Sequence, residues 1–238
     1  MMRLKYELGH SPVNIYLDRP NIYLKSLTEI NCRLFLIGLY KGPVSKEYTR
    51  VEYITPDIRP NLVISQTKEE NFEILGKFAD DYNSSFSHYE LFLPKNKDRR
   101  TSLRAQINIF AHSYLAEQWD FDEDEYQLIR PCCVDKPRIK AKEEELPYYI
   151  SGGLPIAQMS WGLCPVVLKN PYTEGIVGGL NGFIYDGEYD IGRVAAQLNS
   201  MDKEDIQTIG ANAKIFAHTY FPKQDFLDSW KALIERII

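Results

Sequence analysis

The chain has 238 residues, with 33 acidic against 28 basic side chains and a formal net charge of -5 at pH 7. That balance excludes a general nucleic-acid binder, whose phosphate contacts need summed Lys and Arg, while 44% hydrophobic and 26% charged residues fit one large globular α/β domain or two small ones. No apolar run reaches the roughly 18 residues of a membrane span, and the opening "MMRLKYELGHSP" lacks the apolar segment of a signal peptide, so the expected location is cytoplasmic.

"CRLFLIGLY" (32–40), "VEYIT" (51–55) and "NLVIS" (61–65) are short apolar or β-branched runs bounded by Gly, Pro or charge, and read as strands. A helix follows. Thr67 and Glu70 have capping-box spacing, and Phe72, Leu75, Phe78, Ala79 and Tyr82 then recur on one face. "HYELFLP" (88–94) and "QINIFAHS" (106–113) are predicted strands, with the basic loop "KNKDRR" between them and a short helix over 114–119 after them. The charge run "KAKEEELP" (140–147) reads as a solvated linker.

Beyond the linker, strand-like "CPVVL" (164–168), a turn helix near 173–177, strand-like "GFIY" (182–185) and helices over 190–199, 202–221 and 224–238 alternate. Phe226, Trp230, Leu233 and Ile237 form an amphipathic stripe on the last helix. Such alternation predicts α/β architecture: Rossmann-like parallel sheets covered by helices. Two lobes are expected, 1–138 and 139–238, with their boundary near 136–147 and the last helix able to cross back. Cys32, Cys132, Cys133 and Cys164 include no CxxC pair and no His at zinc spacing, so buried thiols are expected and no metal site. The echo of "IFAHSY" (109–114) in "IFAHTY" (215–220) joins a strand-like context to a helical one and reads as coincidence.

"SGGLPIAQMSWGLCPVV" (151–167) carries the most chemistry. Residues 148–150 read as a strand end, Ser151, Gly152 and Gly153 as a loop, and Pro155 as the first helical position, where a missing N–H costs nothing. Unpaired backbone N–H groups near Gly153 to Ala157 would then face the crevice that parallel sheets open at their carboxyl ends. Glycines without Cβ atoms let an anionic group approach the backbone closely, and the geometry suits a diphosphate. A plain tight turn before a core helix gives the same punctuation.

In order and spacing, "GGLPIAQMSWGLCPVV", "TEGIVGGLNGFIYDG" and "IGANAKIFAHTYFPKQDFLDSWKALI" resemble the nucleotide-sugar-binding domain of retaining glycosyltransferases of the GT-B fold, the "group 1" family. Glu174, Gly175, Ile176 and Val177 match its Glu-Ile-Val turn, and Asn181, Gly182 and Phe183 its Asn-Gly-Phe strand. More weakly, 106–138 resembles the family segment before the interdomain linker, with Val134 and Asp135 in place and Cys132 and Cys133 standing for Asn and Gly. Two family glutamates are replaced, one by Ser151 or its neighbour and one by Ala157 or Gln158, and the chain is short for the fold.

The resemblance implies a compact or reduced GT-B-like arrangement, with an acceptor-side N-terminal lobe and a nucleotide-sugar-side C-terminal lobe. It implies transfer of a sugar from a nucleoside diphosphate sugar to a hydroxyl of a glycan, lipid or other acceptor with retention, and no separate cofactor. Ser151, Gly152, Gly153, Leu154 and Pro155 would hold the phosphates and Glu174 the ribose or sugar. Lys41, Arg99, Arg100, Arg104 and Arg130 compete as cationic partner, and His112, at a predicted strand end, is the histidine for acceptor or sugar contact. A non-catalytic derivative that binds a nucleotide, a glycan or a protein is the other reading, since those glutamates are missing.

Overall fold

The computed structural model describes residues 11–38, 40–66, 69–91, 105–136, 147–151 and 155–238. The chain divides into two compact units, Met1–Arg130 with Phe226–Ile238, and Pro131–Asp225.

The first unit carries β1 (Val13–Leu17), β2 (Cys32–Leu36), β3 (Tyr48–Arg50), β4 (Leu62–Ser65), α1 (Glu69–Asp81), β5 (Ser85–Glu90), β6 (Ile107–Phe110), α2 (Ser113–Gln118) and β7 (Tyr126–Leu128). These strands form one sheet in the order β3-β2-β1-β4-β5-β6-β7, and every neighbouring pair is parallel. Central β1 has no counterpart among the predicted strands. All five of its residues are buried, so it shows no alternation, and Asn14 interrupts its apolar run. The amide of Asn14 is held inside: Nδ2 donates to the carbonyls of Asp57 at 3.3 Å and Arg59 at 3.0 Å.

The strand predicted over 51–55 is not formed; β3 ends at Arg50 and a 3-10 turn follows at Pro56–Ile58. Val51 N–H makes one last ladder bond to Leu36 at 3.3 Å, after which Glu52 and Tyr53 turn to solvent and Pro56 bars further pairing. The strand predicted over 106–113 stops at Phe110, because His112 begins α2. Helix α1 buries Phe72, Leu75 and Ala79, with the Phe72 ring 4.9 Å from Phe86. Thr67 lies outside the described residues, as do the basic loop, Arg99, Arg100, Arg104 and 140–146 of the linker.

The second unit carries β8 (Tyr148–Ser151), α3 (Ile156–Ser160), β9 (Cys164–Leu168), β10 (Phe183–Tyr185), α4 (Glu188–Ser200) and α5 (Lys203–Tyr220). Its sheet runs β10-β9-β8 and both pairs are parallel. Cys164, Val166, Phe183, Val194, Leu198, Ile206 and Ile209 form one buried cluster between sheet and helices. Helix α5 comes so close to the turn before β9 that a Cβ at Gly210 would collide with the Gly162 carbonyl.

Helix α6 (Lys223–Ile237) belongs with the first unit from Phe226 onward. It buries Phe226, Trp230 and Leu233 of the expected stripe, with Leu227 and Ile234 beside them. The Trp230 ring meets Tyr89 edge-on at 5.5 Å and 87°, a contact whose truncation to alanine would cost about 4 kcal/mol. All four cysteines are buried free thiols. The two copies of the echo fold differently, Ile109 and Phe110 in β6 and all of 215–220 in α5.

Candidate functional site

In the second unit the pairings Ser151 with Val167 and Leu168 with Tyr185 set the carboxyl ends of all three strands on one edge. Ser151 ends β8 and is half-buried. Gly152, Gly153 and Leu154 lie outside the described residues. Pro155 is buried and is the N-cap of α3, one place earlier than the predicted first helical position. Its backbone, at φ -86° and ψ 69°, is not helical, although its carbonyl accepts the first helical bond, from Met159 N–H at 2.9 Å.

Helix α3 is pinned by its other end. Ser160 Oγ lies within hydrogen-bond reach of the carbonyls of Val134, at 2.9 Å, and Ala157, at 2.7 Å, and the Trp161 indole N–H donates to Val134 O at 2.9 Å. Cys133 N–H donates to Phe221 O at 2.9 Å. The segment at Cys132 to Val134 is therefore strapped to the second unit by neutral, buried hydrogen bonds. Burial pushes the Cys133 thiol up to about 11 and the Cys164 thiol to about 12, so neither is a poised nucleophile.

Glu174 is exposed between two buried anchors, Thr173 and Ile176. The predicted turn helix near 173–177 is instead a 3-10 turn at Pro171–Thr173, because Asn170 and Thr173 close it: Thr173 Oγ1 donates to Asn170 O at 2.7 Å and Asn170 Nδ2 to Leu168 O at 2.6 Å. Beyond it, buried Asn181 takes the Val177 N–H at 2.7 Å and donates to Gly175 O at 2.9 Å. Gly175 has φ 91°, and a Cβ there would lie 2.7 Å from the Phe216 ring, so this position requires glycine. The loop returns to β10 through Gly182, whose Cβ would lie 2.7 Å from Pro165 Cγ. Every backbone turn around Glu174 is thus fixed, while its carboxylate is left to solvent.

The remaining sequence-selected residues belong to the first unit. His112 follows β6 and is the N-cap of α2: its Nδ1 accepts from Tyr114 N–H at 3.1 Å. That bond needs Nδ1 unprotonated and gives the ring a structural task. Arg130 follows neighbouring β7 and is exposed; Lys41 follows β2 and is exposed. Strands β2 and β6 are separated by β1, β4 and β5, so their ends stand about 19 Å apart at the usual strand spacing. The fold brings Arg130 beside His112 and leaves Lys41 on the other flank.

Sequence reading missed the carboxyl edge of the first sheet itself. Asp18 just after β1, Ser65 ending β4, Gln66 after it, and His88 and Glu90 in β5 are all buried. His88 Nε2 lies 3.4 Å from Glu90 Oε2, outside hydrogen-bond geometry, and neither ring nitrogen has a hydrogen-bond partner among the described residues. The signal was present in "VNIYLDRP", a buried strand running into charge, but the strand had to be seen first. A groove of about 680 Å³ opens at the opposite, amino edge of this sheet, lined in part by Asn14, Arg33, Asp57 and Arg59; it holds none of the sequence-selected residues.

Among the described residues no group of three or more His, Cys, Asp or Glu is placed to hold a metal ion, and no helix is long and apolar enough to cross a membrane. No protein-family model matches the chain, and no curated protein matches it in sequence. Solved structures do. Anabaena Alr3699/HepE in complex with UDP and glucose is similar with a TM-score of 0.60 at 9% identity, over 94% of this chain and 99% of that one. A glycosyltransferase from Rickettsia africae ESF-5 is similar with a TM-score of 0.56 at 9% identity, over 96% and 99%. HepE in complex with UDP-glucose gives a TM-score of 0.51 at 8% identity, over 92% and 98%. The likeness shows the fold, α/β, Rossmann-like and GT-B-like.

Proposed function

We propose that the chain is a glycosyltransferase that moves a sugar from a nucleoside diphosphate sugar to an acceptor hydroxyl, with retention of anomeric configuration. The observation that carries this reading is the likeness over 94% of this chain to 99% of a structure solved with UDP and glucose. It is supported by the described part of the second unit, where Ser151 ends β8 and exposed Glu174 lies in the loop after β9. In this reading the backbone over Gly152 to Leu154, with Ser151 and Pro155, receives the diphosphate, and Glu174 takes donor ribose or sugar hydroxyls.

The chemistry breaks the bond between the anomeric carbon and the phosphate oxygen and forms one to the acceptor oxygen. The hydroxyl proton leaves with the departing phosphate. The need is charge stabilisation on the leaving group more than a strong base, which positioned N–H donors and a guanidinium or ammonium group supply. His112 and Arg130, which follow the neighbouring strands β6 and β7, are the first unit's candidates for acceptor or sugar contact and for a cationic partner. Lys41, on the other flank, is the weaker candidate.

Calorimetric titration with UDP, GDP and their glucose conjugates tests this directly. One nucleotide is expected to bind with a Kd of about 0.1 mM or tighter, some 5 kcal/mol or more, and its sugar conjugate to be consumed. Retention is read from the anomeric proton coupling of the first-formed product. Absence of any nucleotide binding at millimolar concentration would contradict the proposal.

A second reading, a non-catalytic binding protein of the same fold, is favoured by one feature of α3. Its family glutamate position is Ala157, which is buried, or Gln158, which is half-buried, and neither supplies a carboxylate. Nucleotide binding without hydrolysis or transfer of any sugar would select this reading.

A further inference from the structure

Strands β1 and β4 are neighbours from which the sheet grows in opposite directions, to β2 and β3 on one side and to β5, β6 and β7 on the other. At such a switch point the loops leaving the carboxyl ends part to opposite faces, and a crevice opens between them. The residues that leave these two ends are Asp18 with Arg19, and Gln66.

The Asp18 side chain is 0% exposed and that of Arg19 39%. Gln66 donates to Asp18 Oδ1 from its backbone N–H at 3.2 Å and from Nε2 at 3.5 Å. The same Nε2 donates to the Arg19 carbonyl at 2.7 Å. The other carboxylate oxygen, Oδ2, faces Arg19 Nε at 3.7 Å. Two residues on, Asn21 N–H donates to the Tyr48 hydroxyl at 3.0 Å, that hydroxyl donates back to Asn21 O at 2.5 Å, and Asn21 Oδ1 accepts the N–H groups of Tyr23 and Leu24 at 2.8 and 3.1 Å. The backbone of Arg19 is therefore held, and its guanidinium has a buried counter-charge within ion-pair distance.

A buried carboxylate is a costly way to stabilise a core, since apolar side chains of similar volume do it as well or better. Behind a half-exposed guanidinium it has a different effect, fixing the orientation of the fork and sparing a ligand the ordering entropy of a long side chain. We infer that Arg19, oriented by Asp18 and Gln66, is an anion-binding residue of the first unit, taking a phosphoryl or carboxylate group at the switch-point crevice. The planar fork matches such groups bidentately. Among the described residues no buried carboxylate pairs with exposed Lys41 or Arg130. The anion is taken within the first unit, as the phosphate of an anionic acceptor or of a nucleotide bound there.

The test is titration of the full chain, wild type and Arg19→Gln, with UDP, with glucose 6-phosphate and with neutral glucose. Arg19→Gln is expected to weaken at least one of the two anions about tenfold, the worth of a lost charge-assisted pair, and to leave glucose unchanged. Loss confined to UDP assigns the group to the diphosphate, and loss confined to glucose 6-phosphate assigns it to a phosphorylated acceptor. Asp18→Asn, with Arg19 retained, is expected to weaken the same anion about fivefold, and Arg19→Lys to restore part of it. Equal affinity of wild type and Arg19→Gln for both anions, or no binding of either to wild type, would overturn the inference. Arg19-dependent binding of glucose 6-phosphate in a chain that ignores UDP would sink the transferase reading and leave this one standing.

Discussion

The two units build their carboxyl edges differently. In the first, charged and polar side chains are taken inside, Asp18 and Glu90 among them, and held by hydrogen bonds or packed against rings such as Phe72 at 5.7 Å from His88. In the second, the buried polar residues among those described are neutral, Ser160, Thr173 and Asn181, and they shape backbone around glycine while Glu174 stays in solvent. One unit fixes side chains; the other fixes main chain. Their tolerances should differ accordingly, the first to deletion of a polar group and the second to addition of a Cβ.

Among the variants that test this contrast, the largest effect is expected at Gly210. Gly210→Val forces α5 away from the Gly162 carbonyl and should cost about 3 kcal/mol, read from urea unfolding of the second unit's helices, because overpacking against backbone cannot be relieved by a rotamer change. An unchanged midpoint would mean that the close approach is not maintained.

Next comes Asp18→Ala. It leaves the Gln66 N–H without its acceptor and Arg19 without its counter-charge, a loss of about 2 kcal/mol after discount for the solvated guanidinium. If Asp18→Ala melts like wild type, the buried charge is not held as described and the contrast between the units collapses.

Glu174→Gln and Gly175→Ala separate display from scaffold within one loop. The exposed carboxylate contributes little to stability, within about 0.5 kcal/mol, yet its loss should lower nucleotide-sugar affinity about tenfold. Gly175→Ala should lower both, with about 1–2 kcal/mol of backbone strain at its positive φ. Matching effects of the two variants on stability would dissolve the distinction.

The smallest effect is a pH dependence shared by both units. Burial raises Cys32 and Cys164 to about 12 and Cys133 to about 11, and lifts the Tyr16 hydroxyl to about 12. Each group keeps its proton longer when folded than when unfolded. The stability tied to the neutral forms is therefore complete below the unfolded-state values and declines as pH climbs through the folded ones. Urea midpoints should be flat, with respect to these groups, from about pH 6 to 8, and fall above about pH 9. Midpoints that stay flat above about pH 9 would point to exposed thiols.

Much of the fold was legible because periodicity and punctuation report burial. The stripe on α6, the "CPVVL" strand and the helices after it follow from spacing alone. What escaped were elements whose signal is tertiary. Strand β1 hides behind Asn14, whose side-chain NH2 finds its acceptors only in backbone some 40 residues away. β3 lies three residues upstream of the predicted run, since a bulky β-branched stretch and an edge strand look alike until Pro56 ends the pairing. Of the candidate residues, Glu174 was found through a motif and His112 through its strand-end position. Arg19 was invisible, because what marks it is a buried carboxylate that only the folded sheet reveals.

The central claim is that a nucleotide rests on the carboxyl edge of the second unit. Amide hydrogen exchange of the full chain with and without saturating UDP addresses it residue by residue. The account predicts slowed exchange over 151–157 and 173–181, lost or weakened in Glu174→Gln. Identical exchange with and without UDP in those two segments would contradict it.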